Sequence, residues 1–496
     1  MQERSSPQAV APKMTATTSA AEPKSRQLGL VLLTGVVVGS MIGGGSFNLP
    51  QNMAQGAGLG AVIIAWIVTL VGMFFLSNAF RTLADKRPDL TAGIYSYARE
   101  GFGKFAGFMM AWGYWISSFI GNVAFALLIM QILGYFFPVF GNGQNVPSLI
   151  GGSILIWAMC FLVLSGVKRA ALLNVLASVI NVVTISVALI IMAAFSQVGN
   201  FSIDVWGQGA NLGSVLGQVK STMLVTLWVF IGIEGAVVVS DRARNKHDVG
   251  PATFIGLAVC TTLYALLSVL PFGTMTQATL SGLANPSAAY VLKALVGEWG
   301  AIFVNVSLLI SVLSCWVAWT ILTAELPFMG ARDKVFPKFL AAENRNAAAA
   351  PSLWLSSVLM QITIFVVLVA HDAWIWLISV AGVMILPPYL ASTAYLWKYA
   401  STSAYKGSAG ETKRGSIVTG VLGTGYSAWL LYAAGPQYLL LSTIMFMVGI
   451  PVFWWAQKEQ KAVVSFTTAE KVASGILVLA AIAAVVLFAK GIVSVS

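Results

Sequence analysis

Glu234 lies near the middle of an apolar run, TLWVFIGIEGA at 226–236, and is the only acid so placed. An ionised side chain at the centre of a membrane helix costs about 2.5–3.5 kcal/mol. No Lys or Arg lies near the middle of any apolar run to neutralise it. A carboxylate without a basic partner takes its cation from outside the chain: a proton, a metal ion or a basic substrate. Trp228 precedes it on the same run, and Trp319 is well inside another. An indole face attracts a cation by roughly 0.5–2 kcal/mol.

The second stretch with chemical potential is GSMIGGGSFNLP at 39–50. Gly43, Gly44 and Gly45, then Ser46, interrupt an apolar helix, and each glycine weakens a helix by roughly 1 kcal/mol. Irregular backbone at membrane depth is tolerated only where it is buried in protein or lines a cavity. A half-helix starting near Ser46 offers free N–H groups and a positive dipole end, which suit a carboxylate. In the 226–236 run, Gly232 and Gly235 flank Ile233 and Glu234. A break there leaves carbonyls free, and those suit an ammonium. One site with both ends available describes an α-amino acid.

The elements that position these groups must be membrane helices. The 496 residues are 58% hydrophobic and only 9% charged, against about 25% charged in soluble domains. About thirteen apolar runs reach the 20 or so residues that a spanning helix needs. The first is 28–50, the sixth 218–241, the eighth 299–327 and the last 472–490. They are too long, and too apolar all round, for barrel strands. The fold class is therefore an all-α membrane protein with the lipid bilayer as its solvent. With the N-terminus in the cytoplasm, only Lys220, Lys293 and Lys490 of the 28 basic residues fall outside or near it, a strong positive-inside bias. That bias accounts for the net charge of +11. No clustered basic face suggests nucleic acid as a partner.

If runs one to five and six to ten are two halves, the odd number inverts the second half. The first helix of each half is then the broken one, as in many secondary transporters. The organisation expected is a disordered cytoplasmic tail at 1–27, a ten-helix core at 28–397 with halves 28–195 and 218–397, and C-terminal transmembrane helices at 398–496. Glu325, near the cytoplasmic end of the eighth run with Arg332 beyond it, reads as a rim or gate residue. Two histidines and three cysteines without metal-ligand spacing leave haem ligation, zinc catalysis and a serine–histidine triad without parts. No enzyme, metal or cofactor is expected, and no GxxxxGK[ST] marks a phosphate loop.

GSMIGGGSFNLPQNMA (39–54), WGYWISSFIGN (112–122), TLWVFIGIEGA (226–236) and WLLYAAGPQYLLLS (429–442) resemble the basic amino acid/polyamine antiporters of the amino acid–polyamine–organocation superfamily. Within that group the chain is most similar to bacterial arginine–ornithine antiporters, with lysine permeases next. The similarity runs from about residue 28 to 490. It implies arginine–ornithine exchange across the bacterial cytoplasmic (inner) membrane by alternating access, with lysine or another basic amino acid or polyamine as the alternative cargo. A homodimer is an arrangement it allows. By the same resemblance, Ser40, Gly43, Gly44, Gly45 and Ser46 form a cradle for the substrate carboxylate, and Trp228 stacks on its cation. Glu234 is the acid two residues after Gly232. Tyr114 and Trp319 match gate aromatics, and Asn122 a polar residue of the third helix. In one departure, Ala381 stands where arginine–agmatine exchangers have a serine.

Overall fold

The computed structural model describes residues 29–90, 94–166, 170–234, 248–405, 407, 412–460 and 468–494. Of a few helical residues among these, Ser40 included, only the backbone is described. The described residues form helices and no strand. All thirteen apolar runs carry a helix, and among the described residues ten helices are long and apolar enough to cross a membrane.

The three runs outside that ten are informative. The first run holds α1 (Leu30–Met41), a 3₁₀ turn at Gly44–Asn48 and α2 (Leu49–Gly56). Twelve residues rise only about 18 Å, too little for a hydrocarbon core about 30 Å thick, so the span continues through the break into α2. The sixth run holds α8 (Val215–Trp228), after which residues 229–234 pass into turns; Gly235 lies outside the described residues. The third, α15 (Lys413–Ala433), is long enough but carries glycine, serine and threonine along its length.

The remaining long helices are α3 (Leu59–Lys86), α5 (Lys104–Phe136), α6 (Val146–Leu164), α7 (Ala170–Phe195), α9 (Val249–Val269), α12 (Glu298–Arg332), α13 (Ala350–Thr363), α14 (Ala373–Ser401), α16 (Gly435–Glu459) and α17 (Thr468–Ala489). Three short helices were not foreseen: α4 (Ile94–Phe102), α10 (Gln277–Ser281) and α11 (Ser287–Val296). They are too short to announce themselves as apolar runs. In α4 residues 94–98, Tyr95 and Tyr97 among them, are buried, while Arg99 is half-exposed and Glu100 exposed. Arg99 pairs with Asp333, just beyond α12, at 3.0 Å, and Tyr95 donates to the same carboxylate.

The core centres on α5. Its most apolar stretch is 94% buried, against 11% for α17, which faces outward. α5 packs against α14, α12 and α4, while α12 also packs on α7 and α1 rests on α9 and α7. Small residues permit the closest approaches. A Cβ on Gly39 of α1 would collide with the Ser178 hydroxyl of α7, and one on Gly113 of α5 would stand 2.8 Å from the Met384 carbonyl of α14.

Candidate functional site

The break after α1 is an ordered turn whose Met41, Ile42 and Gly43 carbonyls all find donors. Ile42 turns the chain at φ −75° and ψ 88°, the geometry of an inverse γ-turn, and the Gly43 N–H donates to the Met41 carbonyl at 2.9 Å. Gly43 is extended, and the 3₁₀ turn that follows it has no side-chain cap. The first N–H groups of such a turn lack intrahelical acceptors. The Ser46 hydroxyl donates back to the Gly43 carbonyl at 3.1 Å, which fixes the loop from within. Across the break, the Met41 carbonyl accepts from the Tyr264 hydroxyl at 2.9 Å and the Ile42 carbonyl from the Asn181 amide at 3.1 Å.

Met41 and Gly43–Ser46 line a cavity with roughly 490 Å³ free of protein atoms, part of it open to solvent. Trp228 and Trp319 form its aromatic walls, with Phe125, Val229, Ile231 and Cys315 beside them. Trp228 is held in place by glycine. A Cβ on Gly45 would collide with the indole Nε1 and Cδ1, and one on Gly121 would approach its far edge at 3.3 Å. Trp374 meets the Trp228 ring edge-on at 6.2 Å. Among the described residues the lining carries no charged side chain.

Ser117 and Ser118 also line the cavity, and the sequence reading did not assign them. The Ser117 hydroxyl donates to the Ala381 carbonyl at 2.7 Å and the Ser118 hydroxyl to the Tyr114 carbonyl at 2.8 Å. A hydroxyl has one hydrogen and two lone pairs. With each hydrogen already committed, both oxygens can only accept from whatever enters. Two serines inside the apolar WISSF were the available signal.

Glu234 departs from its expected place. It is buried at 6% exposure but does not line the cavity. Its Oε1 accepts from the Tyr114 hydroxyl at 2.7 Å, and its Oε2 accepts from Tyr389 at 2.8 Å and from the Gly232 N–H at 3.2 Å. The expectation of an acid open to a substrate cation is therefore corrected: this carboxylate is occupied by three donors. The cause is local. Gly232 at φ +108° adopts a conformation that favours glycine, and its N–H meets the Glu234 carboxylate. Tyr114 likewise bonds Glu234 rather than facing the cavity.

Asn122 is fully buried and donates to the Thr323 hydroxyl at 3.1 Å, which in turn donates to the Trp319 carbonyl at 2.7 Å. It therefore stands behind Trp319 and not on the cavity wall. Glu325 is half-buried on α12 and also off the wall. Arg332 pairs with Glu343 at 3.2 Å instead of with Glu325.

With a broken first helix, a second helix that stops at Trp228 and one cavity between them, the comparison with known proteins is decisive. Residues 28–482 match the amino acid permease family. The chain belongs to the amino acid permease family. Among the relatives of this permease is an arginine/agmatine antiporter of Chlamydia abortus, 46% identical over 469 residues, covering 93% of this chain and 96% of the relative. Another, of Chlamydia pneumoniae, is 45% identical over 480 residues, covering 94% and 98%. A third, of Chlamydia trachomatis, is 44% identical over 465 residues. The permease is thus a multi-pass membrane transport protein and not an enzyme.

Proposed function

We propose that this permease exchanges basic amino acids across a bacterial cytoplasmic membrane by alternating access, taking arginine against ornithine. The observation that carries this reading is a cavity lined by two chemically opposite sets of groups. One set is the uncapped start of the 3₁₀ turn at Gly43–Ser46, suited to a carboxylate. The other is two indoles and the acceptor-only oxygens of Ser117 and Ser118, suited to an ammonium or guanidinium. In this reading Ser40 belongs to the carboxylate cradle. Trp228 stacks on the cation, Trp319 closes over the aliphatic stem, and Asn122 holds Trp319 in register. Gly232 and Glu234 act from behind by fixing Tyr114 and Tyr389, and Glu325 sits at the cytoplasmic rim. The core is 28–397, with inverted halves 28–195 and 218–397; residues 1–27 and the N-terminus are cytoplasmic, and 398–496 add peripheral helices.

The names of the relatives favour a second reading, in which agmatine is the counter-substrate. The deciding experiment is uptake of labelled arginine into proteoliposomes preloaded with ornithine, agmatine or lysine. Ornithine is expected to drive the fastest uptake. Fastest uptake against agmatine overturns the ornithine reading, and fastest uptake against lysine establishes a lysine exchanger.

Trp228 gives a separate check on the cation wall. Trp228→Leu is expected to weaken arginine binding by a few-fold to roughly thirty-fold, the range of a cation–π contact worth about 0.5–2 kcal/mol. Phe at that position should recover part of the loss. Scintillation-proximity binding measures both, and parental affinity in the Leu variant would remove the stacking role.

A further inference from the structure

A helix that stops inside a membrane protein leaves carbonyls in need of donors. In an unbroken helix the Ile42 carbonyl would take the N–H of Ser46. Here it takes the side-chain amide of Asn181, on α7, at 3.1 Å. We infer that Asn181 is a positioning residue of the transport cavity: its amide replaces the helical hydrogen bond lost at Ile42 and so fixes where Gly43 and the N–H groups after it stand.

Three observations support this. The same amide nitrogen also donates to the Ser311 hydroxyl of α12. Ser311 is one turn from Cys315, a residue of the cavity wall. One NH₂ group on α7 therefore ties the break to the wall of α12. Gly39, two residues before Met41, leaves the room that lets Ser178, one turn before Asn181, approach α1. The third observation is a cost. Asn181 is fully buried and its Oδ1 has no partner among the described residues. A leucine of similar size would avoid burying an unpaired acceptor, so the amide is useful there only for its donors.

Asn181→Asp separates this role from mere packing. A protonated carboxyl keeps one O–H donor for Ile42, whereas an ionised one presents only acceptors to a carbonyl oxygen. The donor is present below the pKa of the new group and lost as pH rises through it. Among the described residues, the elements packed against this position bring few titratable groups. α1 and α7 have no ionisable residue. α9 brings Cys260 and Tyr264, and α12 brings Cys315, with Glu298, Glu325 and Arg332 toward its ends. On α11, Lys293 is paired with Glu298 and Tyr290 packs on Tyr135.

The test uses purified full-length protein, with binding by scintillation proximity and exchange in proteoliposomes across pH 5 to 8. Asn181→Asp is expected to bind well at the acidic end and to lose affinity as pH rises, relative to the parent at each pH. Asn181→Leu should elute as a folded protein and bind about ten-fold more weakly or worse at every pH. Parental affinity in Asn181→Leu, or an Asn181→Asp profile parallel to the parent's, overturns the inference. Should Asn181→Leu fail to fold, the Asp profile decides alone. The inference rests on the substrate reading above only for its ligand. Parental arginine binding, measured alongside, tests that reading itself, and whichever basic amino acid the parent binds serves for the variants.

Discussion

Gly43→Val is expected to leave a folded permease that no longer binds arginine. Gly43 is extended, at φ −104° and ψ −173°, a backbone any residue adopts. A Cβ there would meet only the Cys315 sulfur, at 3.8 Å. Both residues line the cavity, so the added methyl groups stand where a carboxylate would approach the N–H groups. Losing two charge-assisted hydrogen bonds, each worth roughly 1.5–3 kcal/mol, weakens binding by about a hundredfold or more. Agmatine, which has no carboxylate, should lose much less affinity. Gly44→Leu is the contrasting control. A Cβ on Gly44 would stand 2.5 Å from Leu128 Cδ2 and 2.6 Å from Val312 Cγ2, so that change should cost folding yield before it reaches substrate. Size-exclusion profiles with paired arginine and agmatine binding measure both variants. Parental arginine affinity in Gly43→Val would place the carboxylate elsewhere.

Arginine uptake is expected to be negligible in empty proteoliposomes, full in those loaded with ornithine or arginine, and unchanged by a potassium–valinomycin potential. Guanidinium and side-chain ammonium groups titrate far above pH 7, so arginine and ornithine each carry one net positive charge. One-for-one exchange then moves no charge, and the potential, which otherwise contributes about 2.3 kcal/mol per charge per 100 mV, does no work. Exchange against agmatine behaves differently, because loss of the carboxylate leaves two positive charges and each cycle moves one. Potential dependence with ornithine inside, or full uptake into empty vesicles, would reject electroneutral exchange. Glu234→Gln should slow the exchange. It replaces an acceptor-only carboxylate held by Tyr114, Tyr389 and Gly232 with a group that must also donate.

Much of this was legible in the sequence because it is written locally. GGGS within an apolar run signals a break, and the break at Ile42–Ser46 is where that signal stands. Trp228 and Trp319 announced themselves as large aromatics at membrane depth, and both line the cavity. What stayed hidden depends on partners far apart in the chain. Nothing near Asn181 or Tyr264 in sequence says that their donors meet the carbonyls where α1 ends. Glu234 was conspicuous, but its direction depends on Gly232 and on hydroxyls from α5 and α14. A buried acid can be noticed from charge alone; whether it faces ligand or protein is decided by backbone dihedrals and neighbours. The short helices α4, α10 and α11 were missed for another reason, since hydropathy detects spans and not the caps between them.

The described lining of the cavity, which carries no charged side chain, has a consequence for turnover. A carboxylate in the wall would seize a guanidinium firmly, and every 1.4 kcal/mol of extra grip lengthens its stay about tenfold. In the proposed binding mode the cation meets two indole rings and two serine oxygens, contacts that hold by accumulation and come apart one at a time. Brief residence is what a carrier requires, because its output is counted in departures.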